Sequence, residues 1–229
     1  MKCAPAPAEP RRPWGQDALP FPFCQCRPAT APIRKQHGPA AAAEKAGRDP
    51  SEVTLVAATK VQTSDTIRQA IAAGVTICGE NRVQEMTAHL DDDAYAGAAL
   101  HFIGHLQTNK VRQVVGRGEL IESVGSEHLL EAIEAQAAKL ELVQDILLEV
   151  NIGGEASKSG ISPEELSALA AQAVGSPHVR LRGLMAIPPV AGSGGNRPFF
   201  AKMYQLFVDI RRKIDHNGSD IDCLSMGMS

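Results

Sequence analysis

The sequence has no continuous run of roughly 18 or more apolar residues, and this absence excludes a conventional transmembrane helix. It has no uninterrupted apolar segment near the N-terminus either, because prolines break up that region, so no secretory signal is predicted. Charge of one sign does not dominate, since the formal net charge is −3. The whole molecule therefore gives no argument for binding nucleic acid or an anionic membrane.

The sequence also has no cysteine framework of the kind that stabilises small secreted domains. Its cysteines are odd in number and irregular in spacing, namely Cys3, Cys24, Cys26, Cys78 and Cys223. This pattern favours reduced thiols and a cytoplasmic location. Cys24 and Cys26 form a single C-x-C pair without a second pair of ligands nearby, so no metal site is predicted.

The first 39 residues differ in composition from the rest of the chain. They contain nine of the 15 prolines and the only tryptophan, and they show no hydrophobic periodicity. Such a segment buries too little apolar surface to offset its ordering entropy, so residues 1–39 are predicted to be disordered or loosely attached. Basic residues outnumber acidic ones there, which leaves an anion-binding or targeting role open beside that of a solvated tail.

From Ala40 onward, apolar and amphipathic segments alternate regularly. Strands are predicted at 53–59, 75–78, 100–104, 120–124, 144–152, 179–187 and 222–228, and helices near 64–73, 81–90, 108–116, 126–140, 163–174 and 198–214. Continuous apolar strands joined by helices indicate an α/β fold with a parallel sheet, whose strands are buried on both faces. A (β/α)8 barrel and an open doubly wound sheet both fit, although no G-x-G-x-x-G follows the first strand.

Polar residues stand where several predicted strands end, and parallel folds bind ligands at that edge. Lys60 ends the first strand, where it is either a reactive amine or an ordinary surface residue. The last strand ends in LSMGMS, in which Ser225, Gly227 and Ser229 let backbone N–H groups approach an oxyanion. An amine and an anion site together suit pyridoxal 5′-phosphate (PLP), which needs an amine for its aldehyde and donors for its phosphate.

Three further residues at strand ends have an ordinary structural reading beside a functional one. Asn81 could begin the next helix, since asparagine is a favoured cap. His105 could cap a helix or bond a core carbonyl, and Met185 could simply fill the core. These positions alone do not decide between the two readings.

Six segments then resemble one known family in order and approximate spacing. They are LVAATK (55–60), GENRVQE (79–85), HFIGHLQTNK (101–110), EVNIGGEASKSG (149–160), GLMAIPP (183–189) and LSMGMS (224–229). Over residues 40–229 the sequence is similar to the YggS/PROSC family of pyridoxal phosphate homeostasis proteins. That resemblance implies a TIM-barrel type fold like the N-terminal domain of alanine racemase, a monomeric state and PLP as cofactor.

The same resemblance implies roles for individual residues. Lys60 would carry PLP as a Schiff base, and Asn81 and Met185 would line the ring pocket. Ser225, with the backbone near Gly227, would hold the phosphate, and His105 would lie nearby.

The sequence departs from the family pattern in two places that bear on the site. The family's S-V-D-S string stands here as residues 123–126 with Gly125 in place of the aspartate. Family members also continue past LSMGMS with a helix and a last strand that carries a phosphate-binding turn. We therefore expect an incomplete barrel of seven strands, lacking the final strand and helix, that binds PLP weakly.

Three functions are compatible with these residues. A carrier would bind PLP and pass it to PLP-dependent apo-enzymes, whereas an amino-acid racemase would need an acid/base group on each face of its substrate. The only tyrosines, Tyr95 and Tyr204, do not stand at strand ends, so the carrier is favoured. A class I aldolase, which binds carbonyl substrates on a lysine directly, is the third alternative.

Overall fold

The computed structural model describes residues 37–155, 158–190, 195–214 and 221–227. Its strands are β1 (Ala57–Ala58), β2 (Ile77–Glu80), β3 (Ala99–Phe102), β4 (Leu120–Val124), β5 (Gln144–Glu149), β6 (Val179–Ala186) and β7 (Cys223–Met226). Its α-helices are α1 (His37–Lys45), α2 (Ser64–Ala72), α3 (Val83–Asp91), α4 (Glu127–Lys139), α5 (Leu166–Gly175) and α6 (Arg197–Ile214). Two 3-10 helices span Pro50–Glu52 and Thr108–Gln113.

All seven strands pair in parallel, in the same order as they occur along the chain. A doubly wound sheet would reverse its strand order at one point, and this sheet does not. The sheet is therefore an incomplete barrel, which confirms the predicted α/β fold of TIM-barrel type with seven strands. Helices connect the strands, as the pattern of alternating segments predicted, although the predicted helix at 108–116 is a shorter 3-10 helix at Thr108–Gln113.

The first strand is the main correction to the predicted elements. The segment 53–59 was expected to be a strand buried on both faces, but only Ala57–Ala58 is strand. Val53 and Leu55 are 40% and 39% exposed. Among the described residues β1 pairs with β2 alone, so the residues before Ala57 lack a second neighbouring strand that would cover them.

The main hydrophobic core lies between the sheet and its helices. It includes Ile146 and Leu148 of β5, whereas Leu147 belongs to a second cluster with Leu120 and Met185. Since successive side chains of a strand point to opposite faces, the second cluster marks the concave face of the sheet. Glu149 shares the parity of Leu147 and therefore faces the inside of the barrel, near the carboxyl edge.

The proline-rich segment lies mostly outside the described residues. Residues 1–36 are not described, so the expectation for them stays a prediction. Helix α1 begins at His37, so residues 37–39 are helical rather than irregular. Pro39 fits there because the first turn of a helix needs no donor at that position. No helix in the described ranges has both the length and the apolar character needed to cross a membrane.

Candidate functional site

Lys60 lies at the carboxyl edge of the sheet, as the sequence predicted. The backbone N–H of Thr59 donates to the Gly79 carbonyl at 2.9 Å and extends the β1–β2 pairing by one residue. Counting on from the paired residues Ala58 and Gly79, Lys60 is level with Asn81. The Lys60 side chain is exposed, so its amine is accessible to a ligand at this edge.

The turn that follows Lys60 is held in an unusual backbone conformation. Val61 has φ = 61°, in the left-handed region that β-branched residues rarely adopt. Its N–H donates to the Glu85 carboxylate of α3 at 2.9 Å. This bond, followed by the neighbouring Arg82 guanidinium, lowers the pKa of Glu85. Helix α3 therefore anchors the backbone directly beside Lys60.

A buried carboxylate anchors the other side of the same turn. Glu80 Oε1 accepts from the Thr59 hydroxyl at 2.7 Å and from the Tyr95 hydroxyl at 2.8 Å, and His89 Nδ1 lies 3.0 Å from it. His89 Nε2 reaches the Gln62 carbonyl at 3.1 Å. Burial, together with the bond to Glu80, raises the pKa of Tyr95. Glu80 thus faces α3 and fixes the Lys60 turn instead of facing the barrel mouth.

Asn81 offers an unfilled hydrogen-bond acceptor beside Lys60. Its Oδ1 is buried and has no hydrogen-bond partner among the described residues. A Cβ at Gly104 would lie 2.1 Å from the Asn81 carbonyl oxygen, so only glycine allows the segment after β3 to approach this closely. A buried acceptor without a donor is costly, and a ligand that carries a donor would satisfy it. The residues beside Lys60 therefore fit PLP, whose phenolic hydroxyl can donate.

Met185 and Ser225 lie side by side on β6 and β7. Met185 is buried and packs with Leu120 and Leu147 on the concave face. The Ser225 hydroxyl donates to Glu122 Oε2 at 2.6 Å, and Glu122 Oε1 lies 2.6 Å from His101 Nδ1. The hydroxyl hydrogen of Ser225 is therefore already used in a hydrogen bond to a carboxylate of β4.

Gly227 also has an internal partner. Its N–H donates to the Ala186 carbonyl at 3.2 Å and continues the β6–β7 pairing. A Cβ at this position would meet Ile187 Cγ1 at 3.6 Å, an ordinary contact. Ser229, the third residue predicted to bind the cofactor in this segment, lies outside the described residues.

His105 belongs to a separate cleft at the carboxyl ends of β3, β4 and β5. The cleft has a volume of about 630 Å³, and His105 Nδ1 lies 3.0 Å from the Ser159 hydroxyl at its border. The other residues that line it are Leu106, Gln107, Thr108, Asn109, Ser123, Gly125, Ser126, Leu129, Glu149 and Gly160. The predicted residues therefore fall into three groups along one edge: Lys60 with Asn81, Met185 with Ser225 and Gly227, and His105.

Comparison with known sequences places this arrangement in a family. The family model of the alanine racemase N-terminal domain matches residues 43–229. The pyridoxal phosphate homeostasis protein of Aquifex aeolicus is 39% identical over 189 residues, which cover 82% of each chain. That of Escherichia coli K12 is 36% identical over 193 residues, covering 82% of this chain and 81% of that one. This chain belongs to the pyridoxal phosphate homeostasis protein family.

Solved structures agree with this family and with the fold. PipY of Synechococcus elongatus with PLP bound is 30% identical, with a TM-score of 0.70 over 82% of this chain and 87% of that one. An alanine racemase of Clostridium difficile is 11% identical, with a TM-score of 0.64 over 87% of this chain and 53% of that one. At that identity the racemase shows the shared fold alone.

The sequence reasoning missed two inward-facing carboxylates. Glu122 and Glu149 stand in the apolar strands β4 and β5, and a charged residue within a continuous apolar strand is the signal that could have revealed them. The described residues contain no group of three or more His, Cys, Asp or Glu side chains that could hold a metal ion. Cys24 and Cys26 lie outside these residues.

Proposed function

We propose that this protein binds PLP as a Schiff base on Lys60 and serves PLP homeostasis as a carrier. The observation that carries the proposal is the position of Lys60 at the end of β1, level with Asn81 and its unpartnered Oδ1. An accessible amine next to a buried acceptor suits a ligand with an aldehyde beside a hydroxyl. The relatives named as pyridoxal phosphate homeostasis proteins, and PipY with PLP bound, support the same ligand.

Different residues of the chain have different roles in the proposed binding of PLP. Lys60 would hold PLP through its primary amine, and PLP would supply the aldehyde for that imine, with the loss of one water molecule. Glu80 and Glu85 bind the residues on either side of Lys60, so the backbone that carries the Lys60 side chain is fixed in position. Met185 offers an apolar surface for the ring.

The phosphate contacts are proposed at the end of β7. Ser225, Gly227 and Ser229 stay as proposed contacts, although the Ser225 hydroxyl and the Gly227 N–H already donate within the protein. His105 lines the neighbouring cleft and is proposed only as a residue near the cofactor. We expect weak binding of PLP, because the donors of Ser225 and Gly227 already form hydrogen bonds within the protein.

The positions of the tyrosines favour a carrier over a racemase. Racemisation requires a second acid/base group opposite the lysine. Tyr95 is buried and donates its hydroxyl to Glu80, and Tyr204 is exposed on α6. The Tyr95 hydroxyl is thus committed to Glu80 on the α3 side of the sheet, and Tyr204 lies on a helix, so we assign neither as the second acid/base group.

The partners and location belong to the same proposal. A carrier would act as a monomer and pass PLP to apo-enzymes that depend on it. The unpaired thiols of Cys78 and Cys223 suit the reducing conditions of the cytoplasm, where those enzymes would be met.

Chemical trapping tests the proposal directly. Borohydride reduction in the presence of PLP, followed by peptide mapping, should place a phosphopyridoxyl group on Lys60. Lys60→Ala should abolish the imine absorbance, while Lys110→Ala, which removes a lysine following β3, should leave it unchanged. Persistence of the absorbance in Lys60→Ala would show that the assignment to Lys60 is wrong.

A second measurement separates a carrier from an enzyme. The PLP-loaded protein is incubated with L-alanine in deuterated water, and exchange at Cα is followed by NMR. A carrier should give no exchange above that of free PLP. Rapid exchange with racemisation would support the alternative function, a PLP-dependent racemase.

A further inference from the structure

The cleft at the ends of β3, β4 and β5 shares His105 with the PLP proposal, and it also has features of a binding site that this proposal does not use. Lys60, Asn81, Met185, Ser225 and Gly227 are not among its lining residues. Its volume of about 630 Å³ is within the range of small-molecule sites. Leu106 and Leu129 are the apolar residues of its lining, and both are almost fully buried.

One wall of the cleft carries a buried hydroxyl without a partner. Ser123 is only 3% exposed, and its Oγ has no hydrogen-bond partner among the described residues. Native structures rarely leave a buried hydroxyl unpaired unless a ligand or water completes it. Ser123 therefore points to a polar ligand group in this cleft.

The neighbouring strand carries a half-buried carboxylate without a partner among the described residues. Glu149 ends β5, which pairs with the strand of Ser123, and faces the concave side. Its carboxylate makes no hydrogen bond or ion pair within the described ranges. Burial raises its pKa, because no nearby cation offsets the lost hydration. A cationic ligand group would supply that missing partner.

The Ser123 side of the cleft has the opposite electrostatic character. Helix α4 begins there, with Ser126 as its N-cap accepting from the Leu129 N–H at 3.2 Å. The first turn of a helix of 13 residues presents free N–H groups and the positive end of the helix dipole. A carboxylate on β5, beside a buried hydroxyl and a helix N-terminus that follow from β4, matches a ligand that carries both charges.

We propose that this cleft binds a small apolar α-amino acid, with its ammonium group on Glu149 and its carboxylate at Ser123 and the first turn of α4. The side chain of the ligand contacts Leu106 and Leu129. Both halves of the zwitterion are recognised, so removing either one weakens binding. The site does not include Lys60, although it borders the proposed PLP site, because Glu149 pairs with Met185 across β5 and β6.

Matched ligands test this without any mutation. L-Norvaline, butylamine and valerate share one carbon chain and differ only in the presence of the carboxylate or the amine. Calorimetric titration of the PLP-free full chain should give a Kd for norvaline at least about tenfold lower than for either analogue. Valerate or butylamine binding as tightly as norvaline would overturn the proposal.

Two substitutions assign the ends of the ligand. Glu149→Gln should raise the Kd of norvaline about tenfold and leave that of valerate unchanged, because only norvaline carries the ammonium group. Ser123→Ala should weaken norvaline and valerate alike and leave butylamine unchanged. The control Glu164→Gln removes an exposed carboxylate elsewhere and should change nothing.

Lys60→Ala separates this inference from the proposed function. Norvaline binding should persist in Lys60→Ala, whereas PLP trapping should not. Loss of norvaline binding in this variant would place the amino acid at Lys60 and overturn the inference while leaving the PLP proposal intact. An unchanged norvaline Kd in Glu149→Gln would overturn it as well, and circular dichroism would verify that the variant is folded.

Discussion

Val61 carries backbone strain next to the proposed reactive lysine. A β-branched residue in the left-handed region costs about 1–3 kcal/mol and persists only where its surroundings impose it. Here the Glu85 carboxylate accepts the Val61 N–H at 2.9 Å and imposes that conformation from α3. Glu85 is thus a positioning residue for Lys60, because it acts through the backbone of Val61.

Replacing Glu85 should loosen the Lys60 turn in a pH-dependent way. The pKa of Glu85 is lowered in the folded protein, so its contribution to stability is present above the pKa of the unfolded chain and is lost as pH falls through the folded value. The difference in unfolding free energy between the native protein and Glu85→Ala, about 1 kcal/mol at neutral pH, should therefore shrink on acidification. Urea unfolding at a series of pH values measures it.

A matched control and a functional readout accompany this prediction. Glu131→Ala removes an exposed carboxylate of α4 and should show no comparable pH-dependent difference. Glu85→Ala should also lower the yield of phosphopyridoxyl-Lys60 after borohydride reduction, because the amine is less well positioned. An equal yield in both variants would argue against a positioning role.

At the scale of elements, the carboxyl edge is built from segments that approach each other closely. The segment after β2 meets the segment after β3 where Asn81 contacts Gly104, and β1 joins β2 and α3 through Thr59 and Glu80. These contacts fix how the ends of β1, β2 and β3 lie relative to one another. Glycine at position 104 is therefore a steric requirement.

Gly104→Ala should destabilise the protein by roughly 2–3 kcal/mol, since the new Cβ would overlap the Asn81 carbonyl and force backbone shifts. Gly227→Ala is the matched control, because its Cβ would make only an ordinary contact with Ile187 at 3.6 Å. Chemical denaturation of both variants gives the comparison. Similar unfolding free energies for the two would contradict the requirement for glycine at 104.

At the scale of the whole molecule, the open sheet depends on contacts that hold its outer strand β7. Near the amino edge, the buried Arg182 of β6 donates to Asp145 of β5 at 3.0 Å and to Asp222, just before β7, at 2.6 Å. Arg180 adds a bidentate pair with the same Asp145. This network joins three consecutive strands across the face that a closed barrel would shield.

Arg182→Ala should destabilise the molecule by about 3 kcal/mol, because it removes one cation from a buried network and leaves Asp222 without that partner. Ser225 should also become more mobile, since Asp222 immediately precedes β7, which carries Ser225. Urea unfolding and amide exchange at Leu224 and Ser225 measure the two effects. Arg211→Ala, which removes an exposed arginine of α6, should leave both unchanged.

The sequence by itself determined the order of strands and helices and the position of Lys60 at a strand end. Both follow from local periodicity, because the spacing of apolar residues within an element reflects which of its faces are buried. The strand bounds of β4 matched the prediction, whereas the strand expected at 53–59 shortened to two residues, since its burial depended on a neighbouring strand.

Only the tertiary structure decided what the polar residues at the carboxyl edge do. Glu80 faces α3, and the Ser225 hydroxyl donates a hydrogen bond to Glu122, which is 103 positions away along the chain. That Glu149 and Ser123 have no hydrogen-bond partner among the described residues depends equally on what lies beside them in space. Hydrogen-bond partners come from distant parts of the chain, so local sequence patterns place a side chain at an edge but do not specify its partner.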